Sequence, residues 1–309
     1  MTELKPNLVT GKEDAAGAYS DGDELEEMLL ELLRQEDAPA RIEELLAGEP
    51  SWPFYYHFTP VRRNLLDWFP FREGASLLEV GCGMGALTGL FCERVARVTA
   101  VELTARRARI TAWRHREREN LTAIAGNIDG VDLGERFDYV TSIGVLEYAG
   151  RYSPSDNPFR DFLRRLGSFL KPGGQLLLAI ENRFGFKYWS GAREDHTGRL
   201  FESLEGYPGQ KDVQTFGRAG LEKLLEEAGF PLTEFYYPVP DFKLPREVFS
   251  DRYLPTPGHG IRPGMFPYVD HSQEREHLFN EQLVMDALVA EGTFPFFANS
   301  FLVVAGGPQ

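Results

Sequence analysis

Chemistry in this chain starts at Glu79, Gly81, Gly83 and Gly85, set at alternate positions in the run Leu77-Leu78-Glu79-Val80-Gly81-Cys82-Gly83-Met84-Gly85. Glycine has no Cβ, so such a backbone turns tightly and lets a ligand lie against it. Ala86-Leu87-Thr88-Gly89-Leu90-Phe91 then reads as the start of a helix, whose first N–H groups suit a polar ligand. Gly81, Gly83 and Ala86 also fit the dinucleotide pattern G-x-G-x-x-G/A. Downstream, Glu102 stands at roughly the 20-residue offset where such folds place an acid. A carboxylate there can accept both hydroxyls of a ribose diol. Two histidines have the side chain best suited to carrying a proton near neutrality: His196, beside Asp195, and His57. Glu194, Asp195 and His196 could also ligate a divalent ion, but consecutive residues rarely converge on one ion without partners, so the chain is read as having no metal site.

The elements that must position these groups alternate. Leu77–Val80, Arg97–Glu102, Leu121–Ile128, Phe137–Tyr148 with its exit turn, and Gln175–Ile180 read as successive strands. Leu232–Tyr237 and Asn299–Val304 complete a set of seven. Helical spacing falls at Asp23–Glu36, Arg41–Ala47, Thr104–Glu119, Phe159–Leu170 and Gly217–Gly229, and Thr59-Pro60 is a helix start. Strand and helix in alternation predict an α/β fold with a mostly parallel sheet. Residues 1 to about 20 are polar and without a period, as in a loose tail.

At 309 residues the chain suffices for one large domain with insertions. A net charge of −14 disfavours polyphosphate partners, so nucleic acid is not expected. The arginines of Thr104–Glu119 alternate with Glu117 and Glu119 and read as a solvated face. Two cysteines, Cys82 and Cys92, are too few for a disulfide scaffold and form no C-x-x-C pair. With no signal-like or membrane-spanning run, a cytoplasmic protein without membrane contact is the expectation.

The run E-x-G-x-G-x-G at Glu79–Gly85 resembles the first motif of class I S-adenosylmethionine (SAM) methyltransferases. Phe137-Asp138-Tyr139-Val140 followed by Val145-Leu146-Glu147-Tyr148, and Leu170-Lys171-Pro172-Gly173-Gly174, resemble later motifs of that family. The resemblance implies a Rossmann-like three-layer sandwich, with a seven-stranded sheet in the order 3-2-1-4-5-7-6. It implies SAM as cofactor and S-adenosylhomocysteine as product. Cofactor-binding positions would be Glu79, Gly81, Cys82, Gly83, Gly85, Glu102, Leu103, Asn127, Ile128 and Ile143. Tyr56 and Arg63 join them from an aromatic segment that often folds over the cofactor in this family. The Asn/Asp-Pro-Pro-Tyr run of methyltransferases acting on amide or nucleobase nitrogens is absent.

After the fifth strand come Glu181-Asn182-Arg183-Phe184-Gly185 and Glu194-Asp195-His196-Thr197-Gly198. These runs resemble a bacterial methyltransferase subgroup found beside glycosyltransferases of surface-polysaccharide pathways. The implied activity is methyl transfer to an oxygen of a small polar acceptor, a sugar or glycan intermediate, with a natural product or other metabolite as the alternative. Acceptor-side residues would be Tyr148, Glu181, Asn182, Arg183, Tyr188 and Asp195, with His196 as first and His57 as second candidate base. Residues 1–50 would form a tail and helical extension, and 51–309 the methyltransferase domain with insertions at about 181–214 and 239–297. Two rivals differ in class. An NAD dehydrogenase would share the glycine corner, but the Lys171–Gly174 turn argues against it. A noncatalytic SAM-binding subunit would keep the same motif. Oligomeric state stays open, with a homodimer possible.

Overall fold

The computed structural model describes residues 8–10, 22–153, 155–271 and 274–307. The chain forms two compact units: the described residues up to Ser142 with Phe169–Gly174, and Ile143–Ser168 with the described residues from Gln175 onward.

The first unit carries β1 (Leu8–Thr10), β2 (Ser76–Val80), β3 (Arg97–Glu102), β4 (Leu121–Ala125) and β5 (Phe137–Ile143), all paired parallel in the order β1-β4-β3-β2-β5. Leu77, Leu78, Val98, Ala100, Ala123, Phe137 and Val140 are fully buried. Unbroken apolar runs of this kind mark parallel strands covered on both faces. Helices Thr88–Arg94 and Ala105–Arg114 follow β2 and β3. The N-terminal helix Asp23–Leu33 belongs to the same unit. Its Leu29, Leu30 and Leu33 pack with Phe54, Phe58, Ile110 and Met84 of the glycine turn. The F-D and L-K-P-G-G runs meet in one knot: Asp138 accepts hydrogen bonds from the Ser76 amide and hydroxyl (2.9 Å each) and pairs with Lys171 at 2.7 Å. That pairing holds the Asp138 carboxyl down at about 2, against its burial.

The second unit carries β6 (Leu170–Glu181, from Gln175 onward), β7 (Thr233–Val239), β8 (Glu247–Ser250) and β9 (Ser300–Gly306). β9 runs antiparallel between β6 and β7, from Gln175↔Gly306 to Glu181↔Ser300 on one side and Thr233↔Ala305 to Tyr236↔Leu302 on the other. β8 pairs antiparallel with β7.

The expected orders 3-2-1-4 and 5-7-6 are present, but the count of seven is too low. Glu247–Ser250 returns along β7 from a proline-rich stretch read as part of a loop insertion, and Leu8–Thr10 adds an edge strand inside the expected tail. Three or four residues are too short to show a period. Three boundaries also move. The helix after the glycine turn begins at Thr88 rather than Ala86. The helix from Thr104 stops at Arg114, because His115 leaves the helix and bonds back to Gly85. Lys171-Pro172-Gly173-Gly174 lies within β6, although Gly173 has φ +73°. No described helix is long and apolar enough to cross a membrane.

Candidate functional site

In the first unit the glycine turn leaves the end of β2 with Gly81, Gly83 and Gly85 at φ of 74°, 57° and 76°. All three lie in the left-handed region, where a Cβ costs roughly 1–2 kcal/mol. The Gly81 amide donates to Val101 O at 2.8 Å, tying the turn to β3. Glu102 ends β3 and faces the turn. Its Oε2 accepts from the Gly83 amide at 2.9 Å, and its Oε1 from the Thr104 amide at 3.1 Å. A carboxylate has about four acceptor sites, so two more donors fit on it.

Beneath the turn, Glu79 is buried and accepts from the Thr88 hydroxyl at 2.6 Å. It links the strand to the helix behind the turn. Burial pushes its carboxyl up to about 8, although the Thr88 bond and the charges of Arg62 and Arg114 pull the other way. The folded protein therefore keeps a proton that the unfolded chain loses near 4.5. That contribution to stability is present below the unfolded value and disappears as pH rises towards 8. The stability of the protein minus that of Glu79→Gln is expected to fall across this window, by up to about 1.4 kcal/mol per pH unit. Denaturation of both proteins at matched pH checks this, and a flat difference would show Glu79 ionised in the fold.

His57 lies against the turn, its Cε1 3.6 Å from where a Cβ on Gly83 would stand. Its Nε2 contacts Arg107 Nη2 at 3.2 Å, and Arg107 pairs with buried Glu26 at 3.3 Å. Guanidinium only donates, so Nε2 is the accepting nitrogen and its lone pair is engaged. Half-buried Arg114 donates to His57 O (2.8 Å) and Met84 O (3.0 Å), clasping the segment to the turn. Burial lowers its guanidinium to about 10. His115 Nε2 bonds Gly85 O at 2.8 Å. Burial lowers this imidazole to about 3, so it is neutral. A Cβ on Gly85 would come within 2.9 Å of His115 Nε2 and 3.2 Å of Thr111 Cγ2. Gly85→Ala is expected to cost roughly 2–4 kcal/mol, left-handed strain plus overpacking, as read by chemical denaturation.

The other predicted cofactor residues are placed as follows. Cys82 is buried, and its thiol lies 3.7 Å from Thr111 Oγ1. Leu103 and Ile143 are half-buried. Asn127 is exposed, with Oδ1 accepting from the Asp129 amide at 3.0 Å, and Ile128 is buried beside it. Half-buried Tyr56 is covered by Arg62, whose guanidinium carbon sits 4.0 Å from the ring centroid. Arg63 points to the surface and pairs with Glu93 at 2.5 Å. Sequence reasoning passed over Arg62, which differs from its neighbour only in the face it occupies.

The second unit gathers a different set. Glu147 lies in the turn after β5, Glu181 ends β6, and His196 comes from the following loop. His196 Nδ1 bonds Glu194 Oε1 at 2.8 Å, while Glu194 Oε2 accepts from the His196 and Thr197 amides, each at 2.8 Å. Tyr207 OH adds a bond to Glu194 at 3.1 Å. Burial would raise the Glu194 carboxyl, but His196 and the two amides bring it down to about 2. His196 Nε2 is 3.7 Å from Glu147 Oε1 and 3.8 Å from Glu181 Oε2. Burial opposes charge on this imidazole, yet Glu181, Glu147 and Glu194 raise it well above its ordinary value. Tyr148 meets the His196 ring edge to face at 5.2 Å.

Alongside runs an ion network. Lys187, fully buried, reaches Asp195 at 2.6 Å and Asp241 at 3.6 Å. Lys243 joins Glu181 (2.7 Å) to Asp195 (3.1 Å), and Tyr188 OH donates to Asp195 at 2.6 Å. Asp195 is thus the partner of two lysines, and Glu194 is the carboxylate on His196. Asn182 is committed elsewhere: its amide donates to Phe296 O and Ala298 O and accepts from the Phe184 amide. Arg183 donates to Ser203 O at 3.0 Å. The fold therefore brings together Tyr148, Glu181, Tyr188, Asp195 and His196, with Glu194, which the sequence offered only as an ion ligand beside Asp195 and His196, and adds Glu147, Lys187 and Lys243, which sequence reasoning did not single out. Lys187 gave one signal, a charge set between Phe186 and Tyr188.

Residues 55–234 match a family model described as a methyltransferase domain. Malonyl-[acyl-carrier protein] O-methyltransferase of Priestia megaterium is 26% identical over 196 residues, covering 62% of this chain and 66% of that protein. The mitochondrial ubiquinone biosynthesis O-methyltransferase of Schizosaccharomyces pombe is 33% identical over 123 residues, covering 37% and 42%. The chain thus spans less than two thirds of the length of either relative. A chain from the complex of the Haloferax volcanii Trm112 methyltransferase activator with a methyltransferase matches at a TM-score of 0.50 and 16% identity, over 94% of this chain and 100% of that one, a likeness of fold.

Proposed function

Because the chain belongs to the SAM-dependent methyltransferase family, we propose that it moves a methyl group from SAM to an oxygen of a small polar acceptor, a sugar or glycan intermediate. The residues of the first unit suit the cofactor. Glu102 ends β3 with acceptor capacity left for a ribose diol, the glycines keep side chains off the turn, and Asn127 and Ile128 stand past the end of β4. When bound, SAM supplies an electrophilic methyl group on a sulfonium. Glu79 orders the turn from below through Thr88.

The second unit holds the acceptor in this reading. The observation that carries it is His196, held by Glu194 at 2.8 Å within a buried cluster of carboxylates, lysines and phenols. Such groups recognise hydroxyls, and a hydroxyl nucleophile needs a route for its proton. The cluster around His196 offers that route, whereas the accepting nitrogen of His57 is already engaged by Arg107. Relatives named as O-methyltransferases support an oxygen acceptor, and the E-N-R-F-G and E-D-H-T-G runs support the glycosyltransferase-associated subgroup.

The test is label transfer. The protein, methyl-labelled SAM and fractionated metabolites of its host are incubated, and the label is located. Label in a nucleotide-sugar or glycan fraction is the expected result. Label in another small-molecule fraction would discard the sugar, and SAM binding without transfer to any fraction would favour a noncatalytic subunit.

A further inference from the structure

Glu147 and Glu181 are 2% and 1% exposed. Each has a buried carboxylate oxygen, Oε2, with no hydrogen-bond partner among the described residues. An unpaired buried carboxylate oxygen is costly, more so than a neutral group. Glu181 Oε2 is also the atom that faces His196 Nε2 at 3.8 Å. A simple ion pair does not describe this geometry. A charged N–H···O⁻ bond closes to about 2.7–2.9 Å, yet Nε2 stands 3.7 and 3.8 Å from the two carboxylates. Donor atoms that share one ion at bonds of about 2.0–2.2 Å sit apart by distances of this size. One donor atom from each of Glu147, Glu181 and His196 lies within 4.8 Å of the others.

The far side of the imidazole agrees. Nδ1 is fixed by Glu194, itself fixed by two backbone amides and Tyr207, so the ring is aimed with Nε2 towards the two carboxylates. Histidines that ligate metals are oriented in this way by a carboxylate on the other nitrogen. The charge around the cluster points in the same direction. Five carboxylates, Glu147, Glu181, Glu194, Asp195 and Asp241, are answered by three groups, Lys187, Lys243 and His196, among the ion pairs of this cluster.

We propose that Glu147, Glu181 and His196 bind one divalent first-row cation. Two carboxylates and an imidazole suit Mn²⁺, Co²⁺ or Zn²⁺ better than the all-oxygen sets preferred by Mg²⁺ or Ca²⁺. Three protein donors leave coordination positions for a ligand oxygen. Through that position the inference rests on the reading of the second unit as the acceptor side, but binding of the ion does not depend on that reading.

The experiment uses the full chain, stripped with chelator and titrated with Mn²⁺ alone, the free ion being followed by electron paramagnetic resonance. Co²⁺ and Zn²⁺ are titrated by calorimetry. One site per chain is expected, weakened at least 30-fold in Glu147→Gln and in Glu181→Gln. Glu194→Gln, which removes a positioning group, is expected to weaken it about 10–100-fold. SAM binding by each variant serves as the check on folding. Absence of stoichiometric binding of all three ions to protein that binds SAM would overturn the proposal, as would binding unchanged in both glutamine variants. If the ion binds and no methyl group is transferred, the site stands and the functional reading fails. If transfer proceeds after chelation and no ion binds, the reverse holds.

Discussion

Glu102→Ala is expected to weaken SAM binding by roughly 100-fold or more while leaving the protein folded. The carboxylate holds the amides of Gly83 and Thr104 at 2.9 and 3.1 Å, so alanine releases both the glycine turn and the start of the next helix. It also removes the acceptor proposed for the ribose diol. Hydrogen bonds to a charged group contribute about 1.5–3 kcal/mol each, and 1.4 kcal/mol is tenfold in affinity. Losing two of them gives about two to four powers of ten. Glu102→Gln keeps one acceptor oxygen and loses the charge, so its loss should be intermediate. Calorimetric titration with SAM measures both. Affinity within threefold of the unaltered protein in Glu102→Ala would remove the residue from the cofactor site.

Lys187→Met should cost about 3–5 kcal/mol of stability, because the ammonium is fully buried between Asp195 and Asp241. Methionine fills much of the space but leaves two carboxylates with less compensating charge, the costly way to break a buried pair. For a protein of this size each kcal/mol lowers Tm by about 2–4 °C, so a fall near 10 °C is expected. Lys243 and Tyr188 remain on Asp195, and Tyr268 OH remains on Asp241 at 2.9 Å, which keeps the loss from being larger. The double variant Lys187→Met/Asp195→Asn should recover part of the loss, because the stranded charge goes with the partner. Equal destabilisation in single and double variants would show that packing, and not charge, is what Lys187 supplies.

The first unit was legible because its signals are local. Glu79, the three glycines and Glu102 sit at fixed offsets around one strand–turn–strand path, and their backbone angles follow from residue type. The parallel strands announce themselves as apolar runs. The second unit was legible only in part. Glu147, Glu181 and His196 meet through topology, and nothing in their spacing shows it. Asp195 stands next to His196 in sequence, yet the loop turns it to Lys187 and Lys243 and gives the histidine to Glu194. Lys187 and Lys243 look like solvated charges until their partners are seen. Arg62 and Arg63 show the same limit on a smaller scale, since a helix sends adjacent residues to different faces. Asn182 belongs to a run that reads as a binding loop, but its amide is taken by the backbone at Phe296 and Ala298.

The central claim is transfer of a methyl group to oxygen. It is tested most directly by supplying SAM labelled with carbon-13 in the methyl group, isolating the labelled product and reading the methyl carbon by nuclear magnetic resonance. The account predicts the signature of a methyl ether on a polar acceptor, lost in Glu102→Ala together with SAM binding. A methyl carbon on nitrogen or carbon would contradict it.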